Sequence, residues 1–152
     1  ALLPLPFMAA VCLAFVLSCM GLRYLYRRGR QTDNSAVVKL TCEGKSLTLA
    51  GLLDTGNQLA EPITGRPVSI ADEETLKPLL GPEWEKRQGF CLIPFHSLGT
   101  GKGWLRGVTL DEMSVTMRRG SREVRRPVIA LYDGKVSAGK EYQVILHPEH
   151  AP

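Results

Sequence analysis

The first 30 residues contain no Asp or Glu, and residues 2–22 (LLPLPFMAAVCLAFVLSCMGL) contain no charge of either sign. About 20 uncharged, mostly apolar residues at 1.5 Å rise span the hydrocarbon core of a bilayer, so a transmembrane helix is expected here. A cleavable signal peptide fits less well, because its positive charges should precede the apolar run and here they follow it. A buried core helix is the plainer competitor. Net charge is lacking from the rest of the chain as well. Of 19 Lys and Arg, four (Arg23, Arg27, Arg28 and Arg30) sit just after the apolar run, which leaves 15 positives against 15 acids from residue 31 onward. The pI near 9.0 is therefore a juxtamembrane effect. A neutral folded part removes the main argument for a nucleic-acid partner. Arg118, Arg119, Arg122, Arg125 and Arg126 form a local basic run, expected on the exposed flanks of a hairpin.

Metal-ligating residues are also scarce. Cys12 and Cys19 lie in the apolar run, Cys42 and Cys91 are isolated in strand-like segments, and there is no C-x-x-C spacing or Cys/His cluster. This excludes a zinc-finger pattern and a disulfide framework. His96, His147 and His150 are scattered and are assigned no chemistry. No metal and no cofactor are expected.

The arginines after the span place the following chain in the cytoplasm under the positive-inside rule, with Tyr24 and Tyr26 as interfacial anchors and the bilayer itself as a partner. The chain starts on Ala inside the apolar run, so further chain is expected upstream. Residues 1–26 are thus assigned to a transmembrane helix, 27–35 to a basic linker and 36–150 to one folded domain. In that domain AVVKLTCE and KSLTLAGLLD predict a hairpin about Glu43-Gly44-Lys45. PVSIA predicts a strand, and Asp72 offers an N-cap to a short helix over EETLKPLL, stopped by Gly81-Pro82. GFCLIPFHSL and WLRGVTL read as strands, SVTMRR and EVRRPVIALY as a hairpin about Gly120-Ser121, and YQVILHP as a last strand. Many short strands with one or two helices predict a mainly β domain, a small barrel or sandwich.

The informative element is Leu52-Leu53-Asp54-Thr55-Gly56-Asn57, an apolar strand that delivers one acid into a tight turn. Two carboxylates held within hydrogen-bonding distance share a proton, so such a pair can deprotonate a water while protonating a carbonyl. Thr55 supplies a hydroxyl to brace the loop, and Gly56 lets its N–H approach the carboxylate. Asp-Thr-Gly alone is short enough to arise by chance, and a polar turn after a strand is the plainer explanation. Aspartyl-phosphate chemistry of the P-type ATPase kind is excluded, because that motif places Lys between Asp and Thr.

The setting strengthens the motif. A hairpin, an apolar strand, Asp-Thr-Gly, a further strand and a late apolar pair follow the order of a retroviral-type aspartic protease protomer. The runs GLLDTGNQLAEPITGRPVSIA, LIPFHSLGTGKG and VIALYDGKVSAGKEYQVILHP resemble the sporulation sigma-E factor-processing peptidase family across residues 36–150. That resemblance implies a small closed β-barrel, a catalytic Asp54 with Thr55, Gly56 and Asn57 in the active-site loop, and no metal. It also implies a membrane half of several spans ahead of the protease, cleavage of a pro-sigma factor in the mother cell, and activation by a signalling protein from the forespore. Only one Asp-Thr-Gly is present, and Tyr132-Asp133-Gly134 lacks the hydroxyl residue, so a homodimer must supply the second acid. Gly99, Thr100, Gly101, Lys102 and Gly103 form a hairpin tip and a candidate flap over bound peptide; no helix follows them as a phosphate loop would need. A membrane-anchored scaffold in which Asp54 only stabilises its turn is the alternative from another class.

Overall fold

Alternation decides the first elements. Strand β1 (Ser35–Cys42) turns Ala36, Val38, Leu40 and Cys42 inward and Val37 and Lys39 outward, the two-residue period of a strand with one buried face. It reverses at Glu43 and Gly44, which have φ of 49° and 77°, into β2 (Lys45–Leu53). Two left-handed residues match the twist of a two-residue hairpin. Cys42 pairs with Lys45 at the turn, and Ser35 with Leu52 at the open end.

The structure, a computed structural model, describes residues 12–23, 33–97 and 101–152, with the backbone only for 96, 97, 101 and 102. The chain divides into two units, Ala1–Asp33 and Asn34–Pro152. In the first, residues 12–23 form helix α1, which leaves Leu13, Phe15, Leu17 and Leu22 exposed. Among the described residues no helix is long and apolar enough to cross a membrane. The described part of α1 reaches roughly 18 Å at 1.5 Å per residue, and the remainder of the expected 1–26 span lies outside the described residues.

The second unit is mainly β. After β2 come β3 (Val68–Asp72), α2 (Glu73–Leu80), β4 (Phe90–Ser97), β5 (Gly101–Thr109), β6 (Glu112–Met117), β7 (Gly120–Arg125), β8 (Val128–Tyr132) and β9 (Val144–Leu146). They form one sheet in the order β4-β5-β8-β3-β9-β2-β1-β6-β7. The pairs β2–β9 and β3–β8 are parallel, and the others are antiparallel. Strands far apart in this order share a core. Leu40 of β1 and Met113 of β6 pack with Val108 of β5, Ile129 of β8 and Leu76 of α2 in a single buried cluster, so the sheet curls on itself. A smaller cluster of Val68, Ile93, Val128 and Ala130 covers the opposite face of β3 and β8. These central strands are buried on both sides.

The expected closed barrel is not formed. The ladder ends on β4, which carries Pro94, and on β7, whose residues are exposed apart from the half-buried Val124. Proline lacks a ladder donor, and charged side chains discourage pairing, so both strands are suited to sheet edges. A second correction concerns EVRRPVIALY, expected as one strand. It is divided between β7 and β8 by Arg126, with φ of 51°, and by Pro127. The chain leaves β6 there and joins β5 and β3. Gly101 to Gly103, expected in a loop, pair with Ser97 to Phe95 as the start of β5. Asp72 does precede α2, but its side chain makes no cap. Its Oδ1 accepts from the Val136 N–H at 2.7 Å instead.

Candidate active site

Three contacts aim Asp54. Gly51 lies so close to β1 that a Cβ there would fall 2.6 Å from Val38 Cγ2, so β2 needs glycine at that position. Leu52 pairs with Ile145 on β9, and Ile145 pairs with Ile70 on β3, which makes an apolar row across three strands. Asp54, two residues beyond Leu52, continues on that face. Its N–H donates to the Leu146 carbonyl at 3.2 Å, which extends the parallel ladder by one step and fixes where the acid leaves the sheet.

The turn is held by the acid itself. The Gly56 N–H donates to Asp54 Oδ1 at 2.9 Å, and the Asn57 N–H to the Asp54 carbonyl at 3.1 Å. A Cβ on Gly56 would sit 3.3 Å from that Oδ1. Asp54, Thr55 and Gly56 are exposed, whereas Asn57 is buried. Asn57 Nδ2 donates to the Val68 carbonyl at 3.0 Å, and its Oδ1 accepts from the Leu59 N–H at 3.0 Å. Among the described residues the Thr55 hydroxyl bonds to no other group of the chain, so bracing within the protomer falls to Asn57.

The following loop is built on another acid. Buried Glu61 accepts from the Ile63 and Thr64 N–H groups at 3.0 and 2.7 Å and from the Thr64 hydroxyl. The Thr64 hydroxyl and these amides hold its carboxyl below the usual range, since each bond favours the charged form. Gly65, with φ of 69°, closes the turn, and Arg66 ties it to the Arg126 carbonyl at 2.9 Å. The Pro62 to Val68 run is a compact turn that returns the chain to β3.

Beside Asp54 opens a cleft of about 530 Å³. Residues 56–60 form one wall, Ile70 and Ile145 the floor, and Pro94, Phe95 and Leu105 of the β4–β5 hairpin the far side. Among the described residues that line it, Asp54 is the one ionisable side chain. A carboxylate at an apolar cleft can hold or move a proton next to an extended peptide, but a single carboxylate cannot act as acid and base together.

Asp133 is not in the cleft. It is exposed just beyond the end of β8. His147 and His150 are buried against Ser69: the Ser69 hydroxyl lies 2.8 Å from His150 Nδ1 and accepts from the His147 N–H at 3.0 Å. Burial lowers the His150 pKa to about 4, helped by His147 and Arg122. Among the described residues no three His, Cys, Asp or Glu side chains gather as a metal site requires. Of the candidate flap, Gly99 and Thr100 lie outside the described residues, and Gly101, Lys102 and Gly103 begin β5. Phe95, Leu105, Ile70 and Ile145, which line the cleft, are not among the site residues expected from sequence. Their only local signal was apolar alternation on strands.

A family model described as Sporulation factor SpoIIGA matches residues 3–150. The chain belongs to that family. It is 32% identical over 136 residues to a Bacillus thuringiensis subsp. kurstaki protein provisionally named a sporulation sigma factor-processing peptidase, covering 77% of this chain and 84% of that one. It is 25% identical over 137 residues to the sporulation sigma-E factor-processing peptidase of Priestia megaterium and 24% identical over 139 residues to that of Bacillus subtilis. These alignments cover 77% and 78% of this chain. The chain spans less than half the length of the latter two, 44% and 45%. No solved structure matches it.

Proposed function

We propose that the chain forms the protease half of a membrane-tethered aspartic endopeptidase that cleaves a pro-sigma factor, with a catalytic dyad of Asp54 from two protomers. The observation that carries this is the position of Asp54: exposed at the end of a strand, and the one ionisable side chain on an apolar cleft among the described residues. The hydrogen bond from Gly56 uses Oδ1. Oδ2 accepts no bond from the described residues of its own chain. A second Asp54 across a two-fold axis would let the pair share one proton, so one carboxylate serves as base to water while the other protonates the scissile carbonyl. Exposed Thr55 leaves its hydroxyl available to the same interface.

The substrate follows from the names of the relatives, which process sporulation sigma factors. Strands β4 and β5, which supply Phe95 and Leu105 to the cleft, support a flap role for residues 99–103 in a variant of the retroviral-type protomer. The apolar helix α1 and the arginines after it support a tether to the cell membrane, with the protease on the cytoplasmic side of the mother cell. Activation by a signalling protein from the forespore rests on the family resemblance.

One contact favours the scaffold alternative: Oδ1 of Asp54 holds the Gly56 N–H, as a purely structural turn would. The substitution Asp54→Asn separates the two readings. Its side-chain carbonyl still accepts that N–H, but the amide cannot act as the base. Processing of co-expressed pro-sigma factor should be abolished with thermal unfolding almost unchanged. Retained cleavage would contradict the aspartic mechanism.

A further inference from the structure

The ladder ends on β7, so no strand among the described residues lies beside its outer edge. The last residues of β7 border a groove of about 330 Å³. Arg66 and Pro67, which lead into β3, form a second side, and Glu149 and His150 of the turn Pro148–His150 form a third. The groove is lined by four arginines, Arg66, Arg122, Arg125 and Arg126, and by two acids, Glu123 and Glu149, an excess of two positive charges.

Elsewhere in the domain arginines have acidic partners: Arg87 pairs with Glu43, and Arg106 with Glu73 and Glu85. At the groove none of the four forms an ion pair with a carboxylate of the described residues. Two are anchored on main-chain carbonyls instead. Arg66 Nη1 donates to the Arg126 carbonyl at 2.9 Å, and Arg122 Nη1 to the Ala151 carbonyl at 3.2 Å. Each guanidinium carries five N–H donors, so both keep donors for a further acceptor. Arg126 is set by its backbone, with φ of 51° and an N–H that donates to the Asp111 carbonyl at 2.9 Å.

The charge pattern decides among occupants. A second β7 would bring arginine against arginine, which disfavours pairing of two copies at this edge. A continuous anionic surface, whether phospholipid or nucleic acid, would meet Glu123 and Glu149 as well. An extended peptide fits both features, because its main chain can add to the open edge while its carboxylates take the guanidinium donors. The groove shares no lining residue with the cleft beside Asp54. One loop nevertheless serves both: it carries Asp54 and Asn57 at its start and Arg66 and Pro67 at its end.

We propose that this groove is a docking site for an extended acidic segment of the protein substrate, away from the bond cleaved at Asp54. The proposal rests on the protease function proposed above and adds a second point of substrate recognition. Docking there raises the effective concentration of the cleaved segment at Asp54 without touching the chemistry.

The test uses the purified full chain in neutral detergent. The probe is a fluorescein-labelled octapeptide of alternating Glu and Val, compared with the same peptide carrying Gln for Glu. The acidic peptide should bind, the Gln peptide should not, and binding should weaken as salt screens the charges. The double variant Arg125→Gln with Arg126→Asn removes two charges, and Asn tolerates the positive φ at 126. It should keep the wild-type urea midpoint and bind the acidic peptide about 5-fold more weakly or worse, the scale of two exposed ion pairs. Its KM for pro-sigma factor should rise by a similar factor at unchanged kcat. Cleavage of a short peptide that spans only the cleaved bond should not change. Equal loss on that short peptide would mean that the substitutions disturb the Asp54 site, and would overturn the proposal. So would an unchanged KM, absence of acidic-peptide binding, or arginine-dependent flotation with phosphatidylglycerol vesicles in place of peptide binding. Asp54→Asn separates the two readings: if it still cleaves, the aspartic mechanism fails, whereas peptide binding by that variant still decides the groove.

Discussion

The side-chain amide of Asn57 donates to the carbonyl of Val68 at 3.0 Å, which fastens the loop carrying Asp54 to the strand beside the floor of the cleft. The same side chain accepts the Leu59 N–H. One buried amide therefore satisfies a donor two residues away and an acceptor eleven residues away.

Asn57→Ala should lower stability by about 1–3 kcal/mol, because both partners are left without their bond. Asn57→Asp keeps the acceptor for Leu59 but turns an oxygen toward the Val68 carbonyl. Both variants should lose more processing than their loss of urea midpoint explains, since the loop that aims the acid is released.

Gly51→Ala tests the seating of the strand before Asp54. Its Cβ would fall 2.6 Å from Val38 Cγ2, and the Val38 side chain is fully buried. Overpacking of this kind costs about 1–3 kcal/mol. The urea midpoint should fall with little change in m-value, and Val38→Ala in the same chain should recover part of it.

Acid should destabilise the domain through His150. Its pKa is lowered from the ordinary 6.5 to about 4 by burial, with His147 and Arg122 opposing its charge. The unfolded chain takes up a proton near pH 6.5, and the folded chain does so only near 4. This contribution is thus fully present above pH 6.5 and is lost as pH falls from there toward 4, by about 1.4 kcal/mol per pH unit for one such group. Urea midpoints at pH 7.5 and 4.5 should differ, and the difference should shrink in His150→Gln.

Much of the first half of the domain was legible because its signals are local. The alternation SAVVKLTC, the Glu43-Gly44 turn and the apolar strand into Asp-Thr-Gly each depend on neighbours in sequence. The wall of the cleft depends instead on sheet order, which brings β4 and β5 against β3 through β8; no local pattern links Phe95 to Asp54. Asp72 shows the reverse case. It carries a local capping signature, but an N–H 64 residues away takes its carboxylate. EVRRPVIALY reads as one strand by its apolar and β-branched content, but Arg126 and Pro127 break it into β7 and β8. Closure of the barrel turns on what the edge strands can pair with, which alternation within a strand does not encode.

Tethering makes a separate prediction. A bilayer confines protomers to a surface and raises their effective concentration without any new contact. Deleting residues 1–30 should weaken processing more than folding. In solution the rate of the truncated domain should rise roughly as the square of its concentration while dimers are scarce.

The shared dyad is tested most directly by mixing. A heterodimer of wild type with Asp54→Ala holds one Asp54 carboxylate and cannot share a proton across the pair. Processing by a fixed amount of wild-type chain should therefore fall as folded Asp54→Ala chain is added in excess, with subunit exchange followed by a differently tagged mutant. Undiminished processing despite proven exchange would contradict the composite site and direct the search to a second acid within one chain, beginning with Asp133.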